Sequence, residues 1–175
     1  MTQARSLFSF PDPVDEVSAR LVAAGVVAMA AASLVFEFRW LTVLLAYGFV
    51  ARVLTGPTLS PLGLLVTRVV RPHLGVRPRF VAGPPKRFAQ GVGAVVSTVA
   101  AVLALGLDHW GAAQVLLGLM VVFASLETAL GLCVGCKVFA ALMRAGMIPE
   151  TVCERCANPS VRAKGPGAAG AEAPA

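Results

Sequence analysis

The sequence predicts an all-α integral membrane protein: four transmembrane helices in two hairpins, an interfacial helix and a cysteine-bearing C-terminal segment. Of the 175 residues, 57% are hydrophobic and 14% are charged, whereas about 25% of the residues in an ordinary soluble domain are charged. The mean hydropathy is +0.78. The charges also cluster between long uncharged runs, which is typical of membrane spans and excludes a soluble enzyme of ordinary type.

The apolar runs divide the chain into a polar N-terminal segment, a membrane domain and a tail. The expected boundaries are 1–13 for the polar segment, 14–146 for the membrane domain, 147–158 for a cytoplasmic segment that contains cysteines, and 159–175 for a Gly/Ala/Pro-rich disordered tail. Within the membrane domain, the four spans are predicted at residues 14–36, 40–54, 88–107 and 110–131.

Signals for helix ends support the first span. Asp12 can cap a helix, and Pro13 suits the first helical position. Asp15 and Glu16 complement the positive end of the helix dipole. These residues predict a helix that starts with Asp12 as its cap.

Glycine and proline separate the later elements. The run 62–70 is too short to span and contains Arg68, so it is predicted as an interfacial helix. Gly83-Pro84-Pro85 is predicted as a rigid, non-helical loop before the third span. A helix break is expected at Gly131 or Gly135, followed by an amphipathic segment over 137–144. Small residues in the third span are expected to allow close helix packing, namely Gly91, Gly93, Ala100 and Ala104.

The distribution of positive charge predicts the topology. The central segment contains seven positive residues and no acidic one: Arg52, Arg68, Arg71, Arg77, Arg79, Lys86 and Arg87. The positive-inside rule therefore predicts this segment, both termini and all the cysteines on the cytoplasmic side. Arg52 is expected to snorkel to an interface.

The net charge of +6 is expected to favour anionic lipid headgroups. Nucleic acid is not an expected partner, because no basic patch alternates with exposed aromatic residues. The sequence leaves a homo-oligomer open.

Two C-x2-C pairs supply the candidate chemistry: Cys133 with Cys136, and Cys153 with Cys156. One hypothesis is a thiol–disulfide or persulfide relay, in which Lys137, four residues after Cys133, stabilises a thiolate. The other is a structural zinc site with four thiolates, since the spacing lies within the zinc-ribbon range. The sequence does not decide between them, and whether the protein is an enzyme stays open.

Glu127 is predicted to lie deep in the fourth span, where an ionisable group suggests function. It is a candidate proton relay, with Gln90 or Ser97 as partners, or a structural hydrogen-bonding group. In a continuous helix Glu127 would lie off the face of Cys133. A third hypothesis is a small transporter for anions or sulfur compounds that uses Glu127 and the basic loop.

Five motifs resemble a bacterial membrane family known as domain of unknown function 4395. They are Phe8 to Glu16, Gly56-Pro57 with Ser60 to Gly63, Gly83 to Gly91, Gly131 to Cys136, and the final pair Cys153 and Cys156. The resemblance covers roughly residues 6–156. It implies a multi-span protein of the bacterial inner membrane and supplies no activity. A thioredoxin-like or rhodanese-like partner would suit the cysteines by analogy.

Overall fold

The computed structural model describes residues 12–149 and Val152, and within these ranges the chain is mainly helical. In chain order the elements are strand β1 (Val14–Asp15), α1 (Glu16–Phe36), α2 (Leu41–Thr55), α3 (Pro61–Leu65, a π-helical turn Val66–Val70, and Arg71–His73), strand β2 (Phe80–Val81), α4 (Gly83–Ala101, continued by a π-helical turn Val102–Gly106), α5 (Trp110–Leu130) and α6 (Val134–Arg144). The second cysteine pair and the predicted disordered tail lie outside the described residues.

The first helix is capped by Asp15, so the prediction that Asp12 caps it was wrong. β1 is extended because it pairs antiparallel with β2, and this pairing delays the helix until Glu16. Asp12 lies before the strand, and its Oδ1 accepts a hydrogen bond from the Gly83 N–H at 3.0 Å.

The Asp15 carboxylate ties the start of α1 to the end of α3. Its Oδ1 accepts the cap hydrogen bond from the Val17 N–H at 3.2 Å. Its Oδ2 accepts from Ser18 Oγ at 2.8 Å and from Arg71 Nε at 2.7 Å. Burial raises the pKa of Asp15, but these hydrogen bonds, led by the one from Arg71, outweigh burial and hold the pKa below its usual value.

The fourth helix begins at Gly83, so the prediction of a non-helical Gly83-Pro84-Pro85 loop was wrong. The prolines occupy the first turn of α4. Proline is accommodated there because the first backbone N–H groups of a helix have no partner within the helix. The earlier start brings Lys86 and Arg87 into the helix.

Two short turns join helices at one end of the bundle. Glu37 ends α1 with φ 54°, and Asp108 precedes α5 with φ 53°. Arg39 of the first turn forms an ion pair with Asp108 of the second, so both turns lie at the same end. At the opposite end, Arg20 donates to the carbonyl oxygens of Thr128 and Ala129 at 2.9 and 3.0 Å.

The most extensive packing joins helices from different halves of the chain. α1 packs against α5, and α2 packs against α4. The buried apolar core lies where these pairs meet and consists of Val26, Ala30, Leu45, Phe49, Leu117 and Met120. Each of these helices therefore packs more extensively against a helix distant in sequence than against the helix to which a short turn joins it.

Three helices are long and apolar enough to cross a membrane: Glu16–Phe36, Gly83–Gly106 and Trp110–Leu130. They match three of the four predicted spans and indicate a membrane protein. α2 corresponds to the predicted span 40–54, but it has 15 residues. At 1.5 Å per residue its length is about 22 Å, which is shorter than a hydrocarbon core of about 30 Å.

Close approach of α2 and α4 depends on Gly93. A Cβ atom at this position would overlap the Phe49 ring. The expectation that small residues permit close packing is confirmed there, and Ala100 and Ala104 are buried. Gly91 was expected to act in the same way, but nothing lies within 4 Å of its Cβ position.

We expect Gly93→Ala to destabilise the bundle by about 1–3 kcal/mol, because the added methyl group overpacks against Phe49. Gly91→Ala is the matched control, and its higher helix propensity should leave stability equal or slightly raised. Thermal unfolding in detergent measures both. Equal effects of the two changes would contradict the close approach.

We expect Asp15→Asn to lower stability by about 1–3 kcal/mol, since it removes a charged hydrogen bond to Arg71 and keeps a capping side chain. The folded-state pKa of Asp15 is depressed. Its contribution is therefore present above the unfolded pKa of about 3.9 and is lost as pH falls through the folded value. The difference from the wild type should shrink in acid, whereas Asp108→Asn, at an exposed ion pair, should change little at any pH.

Candidate functional site

A helix break positions the first cysteine pair. Gly131 ends α5 with φ 67°, and α6 restarts at Val134. Glycine suits this left-handed conformation because it has no Cβ. The predicted break at Gly131 is confirmed. It places Cys133 at the N-cap of a new helix, where its Sγ accepts a hydrogen bond from the Cys136 N–H at 3.4 Å.

The two thiols form one hydrogen-bonded unit. Both are free; Cys133 is buried and Cys136 is half-buried. The hydrogen bond from the Cys136 thiol lowers the pKa of Cys133, and it outweighs burial, which acts in the opposite direction. The same hydrogen bond, together with burial and the charge on Cys133, raises the pKa of Cys136. The pair therefore loses its first proton more readily than an ordinary thiol does and holds the second more tightly.

A buried ion pair lies beside the thiols. Lys86 in the first turn of α4 donates from Nζ to Oε1 of Glu127 in the last turn of α5. Their side chains are 9% and 17% exposed. Both charges act on Cys133: Lys86 favours the thiolate and Glu127 opposes it. The break at Gly131 explains the proximity, since in a continuous helix Glu127 would lie off the cysteine face.

The cation that acts on both thiols is Lys86, which the sequence analysis missed as a site residue. Lys137, the residue predicted for this role, has an exposed side chain, and its backbone N–H donates to the Cys133 carbonyl at 3.1 Å. Lys86 is far from the cysteines in sequence, so spacing gave no indication of it. Its position at the start of an apolar run was the available signal.

The partners expected for Glu127 lie elsewhere. Gln90 accepts a hydrogen bond from Arg52 Nε at 2.9 Å. Ser97 bonds to the carbonyl oxygens of its own helix. Arg52 is 5% exposed and points into the bundle, so the expectation that it snorkels to an interface was wrong. Its contacts with Gln90 and Ser60 explain why it stays inside.

Val152 lies near α6. Val152 lines a cleft of about 410 Å³ together with Phe139 of α6 and Phe88 of α4. Cys153 follows Val152 directly, although both Cys153 and Cys156 lie outside the described residues. Within the described ranges, no group of three or more His, Cys, Asp or Glu side chains has the arrangement of a metal site.

We expect Lys86→Gln to move the pH profile of thiol alkylation upward, because it removes a positive charge that favours the Cys133 thiolate. Lys137→Gln is the matched control and should leave the profile unchanged. Iodoacetamide rates measured against pH, with Cys153 and Cys156 both replaced by serine, report on the first pair alone. A shift with Lys137→Gln and none with Lys86→Gln would show that Lys137 stabilises the thiolate, as the sequence predicted.

Comparison with known proteins identifies a family but no characterised relative. A family model described as a domain of unknown function (DUF4395) matches residues 14–144. No curated protein and no solved structure matches the chain. The family match covers α1 to α6 and includes the first cysteine pair. The chain therefore belongs to the DUF4395 family.

Proposed function

We propose that this protein is a thiol–disulfide exchange protein of the bacterial inner membrane, with Cys133 and Cys136 as the exchanging pair. One observation carries the proposal: Cys133 caps α6 and is hydrogen-bonded to the Cys136 thiol beside a buried lysine. A helix N-terminus and a nearby cation both favour a thiolate, which is the reactive form in disulfide exchange.

The two cysteines differ in burial, and this difference supports a separate role for each in the exchange. When the pair is a disulfide, a partner thiolate reaches the half-buried Cys136 and attacks its Sγ. The bond to Cys133 breaks, and Cys133 leaves as a thiolate, which is a good leaving group because its pKa is lowered. A second partner thiolate then attacks the partner's own sulfur and releases Cys136, which takes up a proton. Two electrons pass from the partner to the pair, and the reverse sequence returns them.

The same pair suits a sulfur relay. As the Cys136 thiol passes its proton to the hydrogen-bonded Cys133 thiolate, its sulfur would attack the outer sulfur of a partner persulfide, gain that sulfur and release the partner's thiolate. A thioredoxin-like protein is the partner proposed for disulfide exchange, and a rhodanese-like protein is the partner proposed for sulfur transfer. Cys153 and Cys156 are proposed as a resolving or shuttle pair, which the position of Val152 near Phe139 supports.

We propose four spans in two hairpins, with both termini in the cytoplasm. Segment 56–82, which joins α2 and α4, lies at the end of the bundle that holds Cys133, opposite the two short turns. The positive residues Arg68, Arg71, Arg77 and Arg79 belong to that segment, which by the positive-inside rule favours the cytoplasm. In this topology α2 is a short span, and a protein that crosses an even number of times returns to the same side.

A zinc site is the second proposal, and the position of Val152 near Phe139 favours it. Cys133 and Cys136 at a helix start, joined by Cys153 and Cys156, would give four thiolates around one zinc ion and fasten the tail to the membrane domain. This role would be structural. Transport through Glu127 stays a prediction. The geometry does not favour it, because the Glu127 carboxylate is already engaged by Lys86.

We expect Cys133→Ser to trap a mixed disulfide between Cys136 and a partner, because the resolving thiolate is lost. Cys136→Ser should trap far less, since Cys133 is buried. Non-reducing gels of acid-quenched cells, followed by mass spectrometry of the shifted band, measure both. The double variant Cys133→Ser/Cys136→Ser is the control. Equal trapping by both single variants would overturn the roles of the two sulfurs, and no trapping under any oxidant would overturn exchange.

Thiol counting with metal analysis separates exchange from the zinc site. On anaerobically purified full-length protein, exchange predicts metal-free chains whose Cys133–Cys136 disulfide forms with mild oxidant and is reversed by dithiothreitol. Four thiols that become reactive only after chelation, with about one zinc per chain, would instead establish the structural site.

A further inference from the structure

Arg52 is a buried cation without an acidic partner. Its guanidinium donates from Nε to Gln90 at 2.9 Å and from Nη1 to Ser60 Oγ at 3.2 Å, and it lies 4.4 Å from the centre of the Phe49 ring. A guanidinium has five N–H donors. Across residues 12–149, Nη2 makes no hydrogen bond to the protein and is not among the fully buried polar atoms, and no carboxylate forms an ion pair with Arg52.

The charges around Arg52 leave a net positive charge inside the bundle. Glu127 acts on Arg52 electrostatically, but its carboxylate is already paired with Lys86. With both neighbouring thiols protonated, these three groups sum to one positive charge. An isolated charge away from water is costly unless it is paired and hydrogen-bonded. A monoanion at Arg52 would supply both the charge and the missing acceptors.

A cavity of about 180 Å³ leads to this guanidinium. Its walls are apolar and come from three helices: Val26 and Met29 of α1, Leu44 and Leu45 of α2, and Leu62 and Leu65 of α3. Gly48 and Arg52 lie on the same cavity. Because Gly48 has no side chain, it leaves space beside the donor: a Cβ there would lie 3.6 Å from Nη1 of Arg52 and 3.8 Å from Ser60 Oγ.

The cavity can hold the first part of one acyl chain. Leu44 and Arg52 are eight residues apart on α2, which corresponds to about 12 Å along the helix. That length lies within one leaflet of about 15 Å, half of the hydrocarbon core. Apolar cavities of about 150 Å³ hold a benzene-sized molecule, so a cavity of about 180 Å³ holds part of one acyl chain, and the rest of a long chain would extend beyond it.

We propose that this cavity binds a long-chain fatty acid, with its carboxylate on Arg52 and the first part of its chain between α1, α2 and α3. The planar guanidinium matches a carboxylate and can donate two parallel hydrogen bonds to it. The apolar walls accept the chain. This site is independent of thiol exchange, because none of its lining residues is a cysteine.

The test is native mass spectrometry of the delipidated full-length protein in detergent, titrated with palmitate, hexadecanol or dioleoyl phosphatidylglycerol. We expect one saturable palmitate per chain and weaker binding of hexadecanol by at least about tenfold, since the alcohol lacks the charged hydrogen bonds. Arg52→Gln should weaken palmitate binding by a similar factor. Arg68→Gln, at an exposed arginine of α3, should leave it unchanged.

Gly48→Ala keeps the test decisive if Arg52→Gln fails to fold. The added methyl group would lie at ordinary contact distance from its neighbours, so the fold should persist, but it crowds Nη1 and should weaken palmitate binding several-fold. Equal binding of palmitate and hexadecanol, or palmitate binding that neither variant changes, would overturn the proposal. Preferential binding of phosphatidylglycerol would overturn the assignment to a single-chain carboxylate.

Discussion

The Lys86–Glu127 ion pair is the interaction on which the cysteine end of the bundle depends. Its two side chains are largely removed from solvent, and they join the first turn of α4 to the last turn of α5. Removing one partner of a buried pair typically costs about 3–5 kcal/mol, because the other charge is left uncompensated. The pair therefore fixes two helix ends relative to each other. It also sets the charge that the neighbouring thiols experience.

Polar contacts lie at the two ends of the bundle, and apolar packing lies between them. At one end, the two short turns meet through the exposed ion pair of Arg39 with Asp108. At the other end, Asp15 binds Arg71, Arg20 caps the carbonyl groups of α5, and Lys86 binds Glu127. Between the ends, α1 packs on α5 and α2 packs on α4 through apolar and small side chains. Ion pairs and charged hydrogen bonds are thus concentrated where the helices end and backbone groups lack partners within the helix.

The break at Gly131 gives the cysteine pair its chemical character. Without it, Cys133 would lie inside a helix, and its backbone N–H and carbonyl would be used within that helix. With it, Cys133 caps α6 and its Sγ accepts a hydrogen bond from the Cys136 N–H. The charge of Lys86 then acts on the Cys133 thiol. The result is an asymmetric pair: a buried cysteine whose pKa is lowered beside a half-buried cysteine whose pKa is raised.

The sequence by itself determined the membrane character, the positions of the long helices to within a few residues, the break at Gly131 and the first cysteine pair as the candidate site. These features are local: hydropathy, glycine conformation and cysteine spacing act over a few residues. Only the tertiary structure decided that Lys86 rather than Lys137 acts on the thiols, that Arg52 turns inward to Gln90, and that Asp15 caps α1. These depend on contacts between residues about 40 to 65 positions apart, the last through the pairing of β1 with β2. Helical periodicity shows which face of a helix is apolar, but it carries no information about which distant side chain meets that face.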